Sequence, residues 1–149
     1  MKSSARAALL LGTTVWCLAI VAAPLFHLTP IYLFFSTICH QLPARSWHIH
    51  GEQLAVCIRC TAIYYGFLAG LLILSKPNAR AFKIALVITA TEWLVAFAVF
   101  DSEILRALSG IVLGASAAPI VRTGVEEMFA RDERLRISGA NVSPIGRND

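Results

Sequence analysis

Charge is scarce in this sequence. Only 15% of its 149 residues are Asp, Glu, Lys or Arg, while 57% are hydrophobic. A soluble domain carries about a quarter charged residues, so a conventional water-facing surface is excluded. The signatures of several enzyme classes are missing as well: there is no phosphate-binding glycine loop, no serine or cysteine triad signature and no H-E-x-x-H pair. Thr61 stands where the C-x-x-C-H attachment of a c-type haem needs histidine, which excludes that cofactor. The net charge of +4 comes from basic residues that flank apolar runs, not from an aromatic-laced basic stripe. A nucleic-acid partner is therefore not indicated. Nothing in these residues identifies an enzyme.

What is present is long apolar runs, with a mean hydropathy of +0.68. Their partner is a lipid bilayer, and runs of roughly 20 residues are long enough to cross its ~30 Å hydrocarbon core. The pattern predicts an all-α fold, a polytopic bundle of four transmembrane helices over about 8–28, 53–74, 82–100 and 104–121. The first run is read as a retained helix, because it is long for a signal-peptide core and Pro24 would follow the small residues that resemble a cleavage site. Thr29 and Pro30 read as an N-cap and first helical residue, opening a short interfacial or re-entrant helix over about 30–41 on the outer side. Residues 43–51 read as a polar loop. One transmembrane domain over 1–121 is followed by a cytoplasmic tail, 122–149, with a short helix around Glu126–Arg136.

Orientation follows from the basic residues. Lys2, Arg6, Lys76, Arg80, Lys83, Arg122, Arg131, Arg134, Arg136 and Arg147, ten of the thirteen, fall on one side of such a bundle. The positive-inside rule places both termini and the 75–83 loop in the cytoplasm. The pairs Gly66/Gly70 and Gly110/Gly114 have the small-xxx-small spacing that lets helices approach closely in lipid. Packing within one bundle is the first expectation, with a homo-oligomer through either glycine face as the alternative.

A polar constellation gathers on the outer side. It comprises Cys39-His40-Gln41, Arg45, His48 and His50, then Cys57-Ile58-Arg59-Cys60 with Tyr64 one helical turn further. The stretches "CHQLPARSW" and "CIRCTAIYYGFLAG" resemble a family of bacterial predicted membrane proteins, domain of unknown function 2085. Its pattern is C-H-Q-x-P-x-R-S, then C-x-R-C-T-G-x-Y-x-G, then a later aspartate, an arginine and a small-residue helix. Asp101, Arg106, Gly110 and Gly114 match the last part, and Ala62 departs from the glycine after the threonine. The linker between Asp101 and Arg106 is also shorter than the pattern. The resemblance names no activity, so chemistry has to come from the residues.

Two chemistries fit them. Thiolates with an imidazole suit zinc or another thiophilic metal ion in a tetrahedral shell. The candidate ligands are Cys39, His40, Cys57 and Cys60, with His48 and His50 as possible additional ligands and Gln41, Arg45 and Tyr64 in support. Alternatively, C-x-x-C at a helix start suits thiol–disulfide exchange, with quinone as electron acceptor. A disulfide that merely braces a structural or assembly protein is the plainer reading. Inside the membrane, Glu92 needs a partner, since an unpaired charge there costs at least ~2.5–3.5 kcal/mol. Arg59 is within reach at ~1.5 Å rise per residue, and Asp101 is placed to pair with Arg106 nearer the surface.

Overall fold

The computed structural model describes residues 2–73, 76–98 and 102–140. Five α-helices dominate: α1 (Lys2–Leu25), α2 (Thr29–Ser36), α3 (Ile58–Ile73), α4 (Ala79–Ala98) and α5 (Glu103–Ala140). Between α2 and α3 lie a single 3-10 turn, Pro43–Arg45, and an antiparallel hairpin of β1 (His48–Ile49) and β2 (Glu52–Gln53).

Among the described residues, two helices are long and apolar enough to cross a membrane, over Ala5–Leu25 and Glu103–Asp132. The expectation of four such helices is met only for these. Helix α3 is apolar but has 16 residues, about 24 Å at ~1.5 Å per residue. Helix α4 carries Arg80, Lys83 and Glu92 within its 20 residues. The helices nonetheless expose large apolar side chains all round, among them Leu11 and Val15 on α1, Val87 and Leu94 on α4, and Ile104 and Leu108 on α5. A water-soluble monomer does not present apolar surface so continuously.

Several boundaries differ from the sequence reading, each for a local reason. The first helix begins well before Ala8, at Lys2. The N-cap of α2 is Leu28, not Thr29, and it makes no side-chain cap bond. The start of the helix is set instead by proline, whose fixed φ suits a first turn and whose missing N–H has no helical partner to lose. The expected loop contains the hairpin, turned by His50 (φ 52°) and Gly51 (φ 86°). Two successive positive φ angles are what a two-residue turn needs to match strand twist.

Residues 54–57 are not the first turn of a span. The Leu54 N–H extends the hairpin by donating to the Trp47 carbonyl at 2.8 Å. Leu54, Ala55 and Val56 are then buried with Ile20, Ala23, Phe35 and Cys39 in a small core at one end of the bundle. Trp16 anchors it through edge-to-face contacts with Phe34, Phe35 and Tyr64, at centroid distances of 5.5, 5.1 and 5.6 Å.

The closest helix pairing is α3 against α5, and glycine makes it possible. A Cβ at Gly70 would come within 2.6 Å of the Ala115 carbonyl, and one at Gly110 within 2.9 Å of the Arg59 carbonyl. One at Gly66 or Gly114 would overlap the backbone of Ile111 or Ile63. Both glycine faces are thus covered inside the chain by the α3–α5 contact. Helix α4 packs on α5 and opens with Asn78, whose Oδ1 accepts from the N–H groups of Arg80 and Ala81 at 3.1 Å each. The expected break near Val121 is absent. Good helix formers such as Glu126, Glu127, Met128 and Ala130 carry α5 on as one helix, aided by an Arg122–Glu126 pair at 3.8 Å.

Candidate functional site

The cap core and the start of α3 bring three cysteines together. The ligand atoms of Cys39, Cys57 and Cys60 all lie within 4.8 Å of one another. Cys39 follows α2, and its buried sulfur accepts the Cys57 N–H at 3.2 Å. Cys57 lies just ahead of α3 and Cys60 in its first turn, so the C-x-x-C spacing points both thiols the same way. Thiolates around a tetrahedral zinc-like ion stand about 3.8 Å apart for ~2.3 Å metal–sulfur bonds. The group needs only a small contraction to reach that geometry.

The Cys57 thiol is pushed down to about 5, first because the Cys60 side chain hydrogen-bonds it. The Cys60 and Arg59 N–H groups and the Cys39 side chain act in the same direction, against burial, which pushes it up. Thiolate is the form that ligates metals and attacks disulfides.

A frame of side-chain amides holds this arrangement. Gln41 Nε2 donates to the carbonyls of Tyr32 (2.8 Å) and Ala55 (2.7 Å), tying α2 to the segment that leads into α3. Gln53 Nε2 donates to the Gln41 carbonyl at 2.6 Å, and the Tyr32 hydroxyl donates to the Gln53 carbonyl. Gln41 itself sits at φ 48°, a left-handed conformation unusual for a side chain of its kind. Its two bonds hold it there. Gln53, Tyr32 and Ser46 belong to this frame, and sequence reading missed them; a polar Gln53 opening an apolar run was the available signal.

The histidines do not join the thiols. His40 is exposed and lines the same cavity, but lies outside the three-sulfur group. His48 and His50, expected as possible additional ligands, are exposed on the hairpin and do not line the cavity. Tyr64 packs behind the thiols against Trp16. Cys17 is buried in α1 and stands apart from the group.

Arg59 and Glu92 meet. Arg59 Nη2 lies 2.6 Å from Glu92 Oε2, with side chains 20% and 10% exposed, and the Ser109 hydroxyl donates to the same oxygen at 3.3 Å. The pair joins α3 to α4 just behind the thiols. Arg106 is 3% exposed on α5 and reaches the same cavity. Its expected partner Asp101 lies outside the described residues. The cavity has a volume of about 360 Å³ and is also lined by Arg45 and by Trp93, an aromatic next to Glu92 that sequence reading did not single out.

Comparison with known proteins supplies a family and no activity. The profile of a family described as "Predicted membrane protein (DUF2085)" matches residues 39–120. An uncharacterized protein of Methanothermobacter thermautotrophicus is 30% identical over 97 residues, 59% of this chain and 87% of that protein. An uncharacterized protein of Methanocaldococcus jannaschii is 51% identical over 43 residues, 29% of this chain and 28% of that protein. The chain therefore spans little more than a quarter of the second relative. Both organisms are archaea, so these relatives do not support the expectation of a bacterial family. No solved structure matches.

Proposed function

Because the chain belongs to the predicted membrane proteins of domain of unknown function 2085, we propose that it is a multi-pass membrane protein. In this reading it holds a thiophilic, zinc-like metal ion at Cys39, Cys57 and Cys60. The observation that carries the reading is the convergence of three sulfurs from two separate chain segments within 4.8 Å. A disulfide needs two cysteines; the third gives the group the donor set of a metal centre with one position left open. Helices α3 and α4 complete a four-span bundle with α1 and α5, their exposed apolar residues facing lipid. The clusters of basic residues support an orientation with both termini and the α3–α4 loop in the cytoplasm and the thiol cap outside.

The test is elemental analysis of the full chain purified in detergent. One equivalent of metal is expected, lost in Cys39→Ser and in the Cys57→Ser, Cys60→Ser double variant. A metal-free protein with reduced, unreactive thiols overturns the reading.

Thiol–disulfide exchange is the second reading, favoured by a C-x-x-C pair at the start of α3 with a third thiol alongside. The dithiol would pass two electrons and two protons to a quinone as Cys57 and Cys60 join. Alkylation in intact cells separates the two readings. Thiols that cycle between oxidised and reduced favour exchange, and permanently oxidised ones favour the structural brace.

A further inference from the structure

We propose that the apolar cavity among α1, α3, α4 and α5 binds a lipid-soluble quinone. The inference goes beyond the metal reading and gives the thiol-exchange reading a place for its electron acceptor.

The cavity has a volume of about 560 Å³, within the ~300–1,000 Å³ of small-molecule sites. It lies near the middle of α1 and α3, at residues 12–16 and 63–67. It is open at its side, and in a four-span bundle that opening meets lipid. Among the described residues no charged group lines it, so a charged headgroup would be stranded there. Its occupant is a neutral molecule that travels in the membrane.

The wall narrows the choice. Four of the lining side chains are aromatic: Trp16, Tyr64, Phe67 and Phe82. A flat ring gains offset or edge-to-face contacts against such a wall, which an acyl chain does not. One end of the cavity also offers donors. The Trp16 indole N–H is buried and meets no acceptor with hydrogen-bond geometry, although the Tyr64 hydroxyl is a close polar neighbour. A buried donor left unpaired is costly, and an acceptor oxygen on the ligand relieves it. A neutral, flat, lipid-soluble molecule with carbonyl acceptors is a quinone.

That end lies beside the thiols. Tyr64 is one helical turn from Cys60, ~6 Å along α3 at ~1.5 Å per residue. Trp16 and Tyr64 pack against the same cap core as Cys57 and Cys60. In thiol exchange, Cys57 and Cys60 form an S–S bond and lose two electrons and two protons. The bound quinone takes up both and becomes the quinol, its two carbonyls now hydroxyls.

The experiment uses the full chain in detergent with Trp47→Phe and Trp93→Phe, which leaves Trp16 as its one tryptophan. It is titrated with a decyl-tailed benzoquinone whose ring carbons are all substituted, so that thiols cannot add to it. Saturable quenching of Trp16 fluorescence is expected. Tyr64→Phe is expected to raise the apparent Kd about tenfold, the loss of roughly one hydrogen bond. Gly12→Leu is made where an added Cβ meets nothing within 4 Å. It is expected to raise the Kd at least as much by occupying the cavity, with the unfolding midpoint unchanged.

Quenching that never saturates, or a Kd that neither variant changes, overturns the quinone site. So does equally effective displacement by dodecane, which would make the cavity an acyl-chain groove. Free thiols are counted by alkylation in the same samples. Saturable binding with loss of two thiols and formation of quinol supports both the site and thiol exchange. Saturable binding with every thiol retained supports the site and overturns only thiol exchange. Thiol loss without saturable binding does the reverse.

Discussion

Arg59 shows how one residue serves two purposes. It separates the two cysteines of the C-x-x-C pair and also neutralises the one acidic side chain of α4, at 2.6 Å. Removing one partner of such a pair strands the other in a low-dielectric setting, at a cost of ~3–5 kcal/mol, whereas replacing both by apolar residues is often neutral. Glu92→Leu is therefore expected to lower the unfolding midpoint in detergent markedly. The Arg59→Leu, Glu92→Leu double variant should recover most of the loss. Additive losses would show that the two charges do not stabilise one another. The pairing was legible in the sequence, because a carboxylate inside an apolar run needs a cation and Arg59 was within reach. The isolation of His48 and His50 was not, since it depends on a two-residue turn that projects them outward.

At the scale of elements, the α3–α5 contact sets the distance between the start of α3, which carries Cys60, and the start of α5, which carries Arg106. A side chain at Gly114 would overlap the Ile63 carbonyl and approach the Phe67 nitrogen to 2.7 Å, whereas Gly12 on α1 has nothing within 4 Å. Gly114→Val is expected to cost ~1–3 kcal/mol or more through overpacking. Gly12→Ala should be neutral or slightly stabilising, since glycine within a helix carries an entropic cost of roughly 0.5–1 kcal/mol relative to alanine. Thermal unfolding of both variants checks this; equal effects would mean that the glycine faces are not what joins α3 to α5. The spacing announced close packing, but could not say which helix would fill each groove. The length of α3 was also misread, because Leu54, Ala55 and Val56 look like the beginning of a span and instead fill the cap core.

For the molecule as a whole, the cap divides the chain into a metal-competent end and a basic end. Reporter fusions test the proposed orientation directly. A reporter inserted after Gly51 is expected to be active outside the cell, and one after Pro77 or at the C-terminus active inside. A cytoplasmic signal from the Gly51 insertion would invert the arrangement and place the thiols in a reducing compartment. That would remove the redox reading while leaving metal binding possible.

Composition alone determined that this chain seeks lipid: few charges and long apolar runs leave no other solvent for its surface. Residue type and spacing likewise determined that thiols at a helix start are its chemically distinctive groups. Only tertiary structure decided that, among the described residues, Cys39 and none of the histidines joins the other two sulfurs within 4.8 Å. That choice depends on how the Gln41 and Gln53 amides bend the backbone between α2 and α3. Contacts across a dozen residues or more obey no local periodicity, so no pattern along the chain could announce them.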